Sequence, residues 1–305
     1  MTDFVTLPDE RQLAFEDLGD PDGSPVLSFH GGLSSRLDAT PAHAAAVELG
    51  VRLISPDRPG IGRSTFQSHR RLLDWPGDVR ALADALGLDQ FAVMGWSCGG
   101  PYAAVCGARM ADRVTAVALL SSSVPLDLFG TRRGLTLDDR ILLFLSRWAP
   151  RLAAYLMRVT IADATDGLLY KEVLRSFPPV DRTVIRELGS PAQAVAFVKE
   201  SMRQGTDGTL ADYRIFGDPW GFGLEEVTAP VDIWEGVEDR TGPPTYRDFL
   251  LRNLPDAQLY VVPNEGHLSL LPHYAGEILG RLVAPRTRAP TLWPDGRSGR
   301  RRSST

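Results

Sequence analysis

The sequence has no apolar run approaching the roughly 20 residues that a bilayer span requires, so no membrane association is expected. Its acidic opening, MTDFVTLPDE, lacks the basic and apolar regions of a secretory leader, and a cytoplasmic location is the expectation. Only two cysteines occur, Cys98 and Cys106, on what reads as one helix, where adjacent turns do not easily bridge. Neither a disulfide framework nor a metal site follows. The net charge is only mildly negative, but it is unevenly spread. Residues 285–305 hold six arginines and one aspartate, a charge of +5, which leaves −10 on the rest of a chain whose net charge is −5. An acidic body argues against a nucleic-acid groove, which needs a concentrated basic surface.

What is present is a chain of 305 residues, 43% hydrophobic and 23% charged, a composition that buries a sizeable core and excludes disorder as a whole. The terminal stretch PRTRAPTLWPDGRSGRRRSST, residues 285–305, is rich in Arg, Pro, Ser and Gly and reads as a disordered tail. No internal repeat is visible. Residues 4–7 and 12–17 flank the turn-like Pro8-Asp9-Glu10 and suggest a hairpin. Short apolar runs then recur at 25–29, 51–55, 91–95, 114–120, 231–234 and 258–262, with helical stretches between them. Runs of this kind suit strands buried on both faces, and their alternation with helices implies parallel βαβ units in a doubly wound α/β sheet. The alternation breaks once, after the sixth strand. There helical patterns at 137–159, 167–175, 182–187 and 191–203 fill about a hundred residues, too long for a loop. The expected organisation is a core of residues 1–123 and 225–284, a helical insertion of 124–224, and the tail.

The strongest chemical signal is Gly95-Trp96-Ser97-Cys98-Gly99-Gly100, between an apolar run and a helical stretch. A turn this tight holds its serine in a strained conformation with the hydroxyl clear of the sheet, and needs small residues on both sides. A serine hydroxyl is a poor nucleophile at neutral pH, so a base must take its proton and a carboxylate must orient that base. His267, in Pro263-Asn264-Glu265-Gly266-His267, follows the last strand run and falls at the sheet edge where Ser97 stands; His273 is the fallback. His43, in an Ala-rich helical stretch, and His69, in a polar connection, suit surface roles. For the carboxylate, Asp239 leaves the run 231–234 at the same edge, with Glu238 a competitor and Asp127 a weaker one. Phe29-His30-Gly31-Gly32-Leu33 leaves another buried run, and glycines there let backbone N–H groups approach a developing oxyanion. Gly32 and Cys98 are the expected donors, with Leu33 possible if the loop turns one residue later. His30 then braces the loop.

With HGG, DRPGIGRS, GWSCGG, GVEDRTGPP and GHLSLL in this order over about residues 10–283, the chain resembles the α/β-hydrolase superfamily. The order Ser97, Asp239, His267 is that of the family's triad. The resemblance implies an α/β-hydrolase fold, with the insertion as the cap, and a serine hydrolase. It would cleave an ester, thioester or related acyl bond without metal or organic cofactor, and the apolar content of the insertion suggests that the substrate is a small, hydrophobic molecule. It makes 57–64 a structural loop, with Arg58 a candidate for lining the pocket, and gives Pro219-Trp220-Gly221-Phe222 a packing role. Serine at the nucleophile position argues against the dehalogenase and epoxide hydrolase chemistry that uses aspartate. Glu235 departs from the family pattern and adds charge near Asp239. Two other functions stay open: a cofactor-free lyase or carbon–carbon bond hydrolase on the same triad, and a binding protein that keeps the fold without catalysis. Arg132, Arg133 and Arg147 in the insertion read either as a solvated helix face or as a greeting for an anionic group.

Overall fold

Valine-, leucine- and alanine-rich runs too short for helices become strands wherever both of their faces can be covered. The computed structural model describes residues 2–128 and 130–284, so the tail expected at 285–305 lies outside the described residues. The strands are β1 (Asp3–Thr6), β2 (Gln12–Gly19), β3 (Ser24–Phe29), β4 (Val51–Pro56), β5 (Phe91–Trp96), β6 (Val114–Leu120), β7 (Val231–Gly236) and β8 (Ala257–Val262). They form one sheet in the order β1-β2-β4-β3-β5-β6-β7-β8. β1 and β2 form the expected antiparallel hairpin, β2 pairs antiparallel with β4, and every later pair is parallel.

Period-two alternation sends neighbouring residues to opposite layers. Val93, Leu119 and Ile233 face a core shared with α2 (Trp75–Ala85), α3 (Gly100–Arg109) and α10 (Pro244–Asn253). Met94, Ala118, Leu120 and Trp234 face the other core, against α1 (His43–Glu48) and α11 (Leu270–Val283). The sheet is therefore covered on both sides, and its parallel strands all end at one edge.

Between β6 and β7 the chain forms α4 (Leu137–Trp148), α5 (Pro150–Met157), α6 (Asp166–Ser176), α7 (Pro179–Glu187), α8 (Pro191–Ser201) and α9 (Asp207–Gly217). Two expectations need correction. The pattern at 137–159 is two helices, because the residue before a proline is driven out of the helical region; Ala149, before Pro150, has φ −142° and ψ 58°. Helix α9 was not expected at all. The insertion has small apolar clusters of its own, one built on Ala153, Met157, Met202 and Leu210 and one on Leu169, Val195 and Val198. Among the described residues no helix is long and apolar enough to cross a membrane.

Candidate active site

At the end of β5 the chain reverses into a helical turn within one residue. Ser97 sits in the left-handed region at φ 53°, strained for a residue with a side chain. Glycine is obligatory beside it. A Cβ on Gly95 would lie 2.3 Å from the Gly99 carbonyl oxygen, and one on Gly99 would lie 2.0 Å from that of Phe29. The short turn Ser97–Gly99 leads directly into α3, whose N-terminus is an electropositive place for developing negative charge.

The loop after β3 closes over this turn. A Cβ on Gly32 would stand 3.2 Å from Cys98 Sγ, and one on Gly31 would stand 3.6 Å from Ser97 Cβ. The Gly31 amide is committed, donating to Asp38 Oδ2 at 2.8 Å, which leaves the next two amides of the loop for other use. Leu33 is in the left-handed region at φ 50°. His30 accepts the Arg58 amide at Nε2 (3.2 Å), which leaves the proton on Nδ1, facing the Gly31 carbonyl at 3.0 Å. Burial, with the charge of Arg58, holds its pKa well below the ordinary value, so the ring is neutral.

Arg58 lines no open pocket. It is fully buried, and its guanidinium donates to the carbonyls of His30 and Gly31, the latter at 2.8 Å, and from Nε to Asp212 Oδ2 at 2.9 Å. Asp212 belongs to α9 and also accepts from Arg70 and, at 2.9 Å, from the Tyr102 hydroxyl. The insertion thus reaches into the core through an ionic network that fixes the His30–Gly31 backbone. Burial works to raise the Asp212 pKa, but the two arginines overcome it and keep the carboxyl below the usual carboxylate range.

His267 is buried, and its Nδ1 lies 2.7 Å from Asp239 Oδ2. Thr241, which the sequence reading did not single out, donates its backbone N–H and hydroxyl to Asp239 Oδ1 at 2.8 and 2.7 Å, and its Oγ1 lies 2.5 Å from His267 Nδ1. Burial pushes the Asp239 pKa up, but the facing imidazole and these hydrogen bonds outweigh it, so the carboxyl stays below its usual range. Burial likewise pulls the His267 pKa down, and Asp239 more than reverses this, leaving it raised. Trp96, the residue before Ser97, donates from Nε1 to the His267 carbonyl at 3.0 Å, and its ring lies 5.1 Å from the imidazole.

The competing groups stand elsewhere. Glu238 and Asp127 are exposed. His273 pairs with Glu265 at 3.0 Å, and His43 accepts the Gly19 amide. Glu235 is buried, and burial together with the Asp239 charge raises its pKa to about 8. It therefore carries a proton at neutral pH and does not add the charge expected from the sequence. Cys98 is pushed up to about 12, chiefly by burial, and stays a thiol.

Two further residues come from the insertion. Asp181 of α7 is buried, and its carboxylate accepts the backbone N–H groups of His267, Leu268 and Ser269, each at 3.0 Å. Phe177 stacks on the imidazole with ring centres 6.4 Å apart. Among the described residues, no group of three or more His, Cys, Asp or Glu side chains could hold a metal ion.

Residues 24–274 match the family described as alpha/beta hydrolase fold. The chain is 25% identical over 264 residues to an uncharacterised hydrolase, YcgS, of Bacillus subtilis, covering 84% of this chain and 88% of that one. It is also 25% identical over 231 residues to 2-hydroxy-6-oxo-6-phenylhexa-2,4-dienoate hydrolase of Burkholderia cepacia, covering 74% of each. Among solved structures, an esterase from Exiguobacterium antarcticum superposes with a TM-score of 0.69 at 18% identity, over 93% of this chain and 100% of that one.

Proposed function

The chain belongs to the alpha/beta hydrolase fold family and is a hydrolase, and from that premise we propose that it cleaves an ester, thioester or related acyl bond through a serine-bound acyl intermediate. One observation carries the reading: a buried imidazole, held by a buried carboxylate at 2.7 Å, packs against Trp96, the residue that precedes a serine in the left-handed conformation at the exit of β5.

In this proposal Ser97 Oγ attacks the carbonyl carbon while His267 accepts the hydroxyl proton at Nε2. Asp239 keeps the Nδ1 proton pointed at itself and stabilises the imidazolium that forms. The tetrahedral oxyanion is met by the amides of Gly32 and Cys98 at the N-terminus of α3. Collapse expels the alcohol or thiol, protonated by His267. Water then attacks the acyl-serine with His267 again as base, and the acid leaves. The insertion between β6 and β7 acts as a cap over a small, mostly apolar substrate, and no cofactor takes part.

A second reading is favoured by the relative from Burkholderia cepacia. The compound in its name carries a ketone and no ester, so its hydrolysis breaks a carbon–carbon bond, and the same serine and histidine can serve that chemistry. The deciding experiment compares p-nitrophenyl esters with a vinylogous diketone, using wild type and Ser97→Ala of equal thermal stability. Ester turnover that falls at least about a thousandfold in Ser97→Ala supports the acyl-enzyme reading. Turnover of the diketone alone selects the second. Turnover of neither contradicts both and favours a binding protein, and a rate unchanged in Ser97→Ala rules out Ser97 as the nucleophile.

A further inference from the structure

Five arginines converge on one cavity of the insertion that neither Ser97 nor His267 lines. Arg132 and Arg133 reach it from the turn before α4, Arg140 and Arg147 from α4, and Arg214 from α9. Its volume is about 360 Å³, the size that takes a small organic ligand.

Three of them are held in place without being neutralised. Arg132 donates to the carbonyls of Leu126 and Gly217, at 2.6 and 3.2 Å. Arg140 donates to the Arg133 carbonyl at 2.7 Å, and Arg214 to the Ser146 carbonyl at 2.8 Å. A carbonyl aims a guanidinium and leaves its charge intact, with further N–H donors free to serve a planar oxyanion. Arg147 does pair with a carboxylate, Asp218, at the surface. No Asp or Glu lines the cavity among the described residues.

The rest of the wall is aromatic. Tyr213 is buried, whereas Phe144 and Trp148 stand 61% and 70% exposed, far more than such side chains are usually left in water. Arg147 lies over the Trp148 ring at 5.7 Å. A ligand with an apolar or aromatic body and an anionic head would cover the rings and neutralise the arginines together.

We infer that the cavity between α4 and α9 is a binding site for an oxyanion-bearing aromatic or apolar small molecule, a phosphate monoester or carboxylate, distinct from the site at Ser97. The arginine forks take the anion, and Phe144 and Trp148 take the body.

The test is calorimetric titration of the whole protein with phenyl phosphate, beside phenol and inorganic phosphate as controls. Saturable binding of phenyl phosphate is expected, with phenol and inorganic phosphate each at least about tenfold weaker. The double variant Arg140→Gln/Arg147→Gln is expected to lose at least about tenfold in affinity, and Trp148→Ala several-fold. If the double variant does not fold, Arg133→Gln, an exposed position, takes its place. Failure of phenyl phosphate to bind, binding unchanged in the variants, or inorganic phosphate binding equally well would each overturn the proposal. Sedimentation with phosphatidylglycerol vesicles, against phosphatidylcholine, separates two sources of the same chemistry. Arginine-dependent capture by the anionic vesicles assigns the head group to a lipid, and its absence beside phenyl phosphate binding assigns it to a soluble ester. Ser97→Ala should bind phenyl phosphate as wild type does, so the site stands or falls independently of the proposed hydrolysis.

Discussion

Asp181, on a helix of the insertion, holds the backbone of His267 from 86 residues away: its Oδ2 accepts the His267 amide, and its Oδ1 accepts those of Leu268 and Ser269. These amides open the turn before α11, so the carboxylate also faces the positive end of that helix. The insertion is thereby fastened to the segment that carries the candidate base.

Removing that carboxylate leaves three buried donors without acceptors. Asp181→Ala is expected to lose about 2–4 kcal/mol of stability in urea unfolding and to lower kcat. Because the Asp181 charge helps to raise the His267 pKa, the rising limb of the pH–rate profile should also move to lower pH. A stability loss with an unmoved limb would make Asp181 a structural clasp only.

Asp239 makes a sharper prediction. His267 works as a base only when neutral, and its pKa is raised above the ordinary 6.5, so activity should be lost as pH falls through a midpoint above 6.5. Asp239→Asn should lower kcat by about 10⁴ and bring that midpoint down. Glu238→Gln and Asp127→Asn, both at exposed positions, should behave as wild type in the same assay.

Much of this site was legible in local pattern. The serine turn needs glycines within a few residues of one another, and strand-loop-histidine and strand-turn-aspartate are short-range signals. Alternation of apolar runs with helices was enough to indicate a parallel sheet. What escaped is tertiary. Asp181 and Phe177 have no local signature, since each acquires its role from His267, 86 and 90 residues distant, whereas Thr241 lies only two residues from Asp239 and becomes recognisable once that carboxylate is placed. Arg58 sits in a recognisable loop, but its burial depends on Asp212 of α9, a helix whose mixed composition between Thr206 and Asp218 hid it. The break at Ala149-Pro150 was readable from the proline and was overrun by the apolar spacing around it.

Glu235 predicts a pH effect on stability. Its ordinary value is 4.5 and its folded value about 8. Below 4.5 both states hold the proton, and between 4.5 and 8 only the folded state does, so its contribution falls as pH rises through that window, on the order of 1 kcal/mol per pH unit. Glu235→Gln should therefore be more stable than wild type at pH 8 to 9, with the advantage shrinking toward pH 5. Thermal unfolding of the two proteins across this range checks it, and a constant difference would contradict it.

Arg58 is held by a carboxylate and two carbonyls in a fully buried fork, a pattern lysine cannot reproduce. Arg58→Ala leaves Asp212 poorly compensated and is expected to cost about 3–5 kcal/mol. Arg58→Lys should recover only part of that. Equal stability of the lysine variant and wild type in denaturant titrations would show that charge alone suffices there.

The proposed hydrolysis requires Ser97 to be an activated nucleophile. Labelling of the purified protein with a fluorophosphonate, followed by mass-spectrometric peptide mapping, reads this out, with Ser97→Ala and His267→Ala as controls. One phosphonate adduct is expected, on Ser97, absent from Ser97→Ala and strongly slowed in His267→Ala. An unlabelled folded protein, or an adduct at another serine, would contradict it.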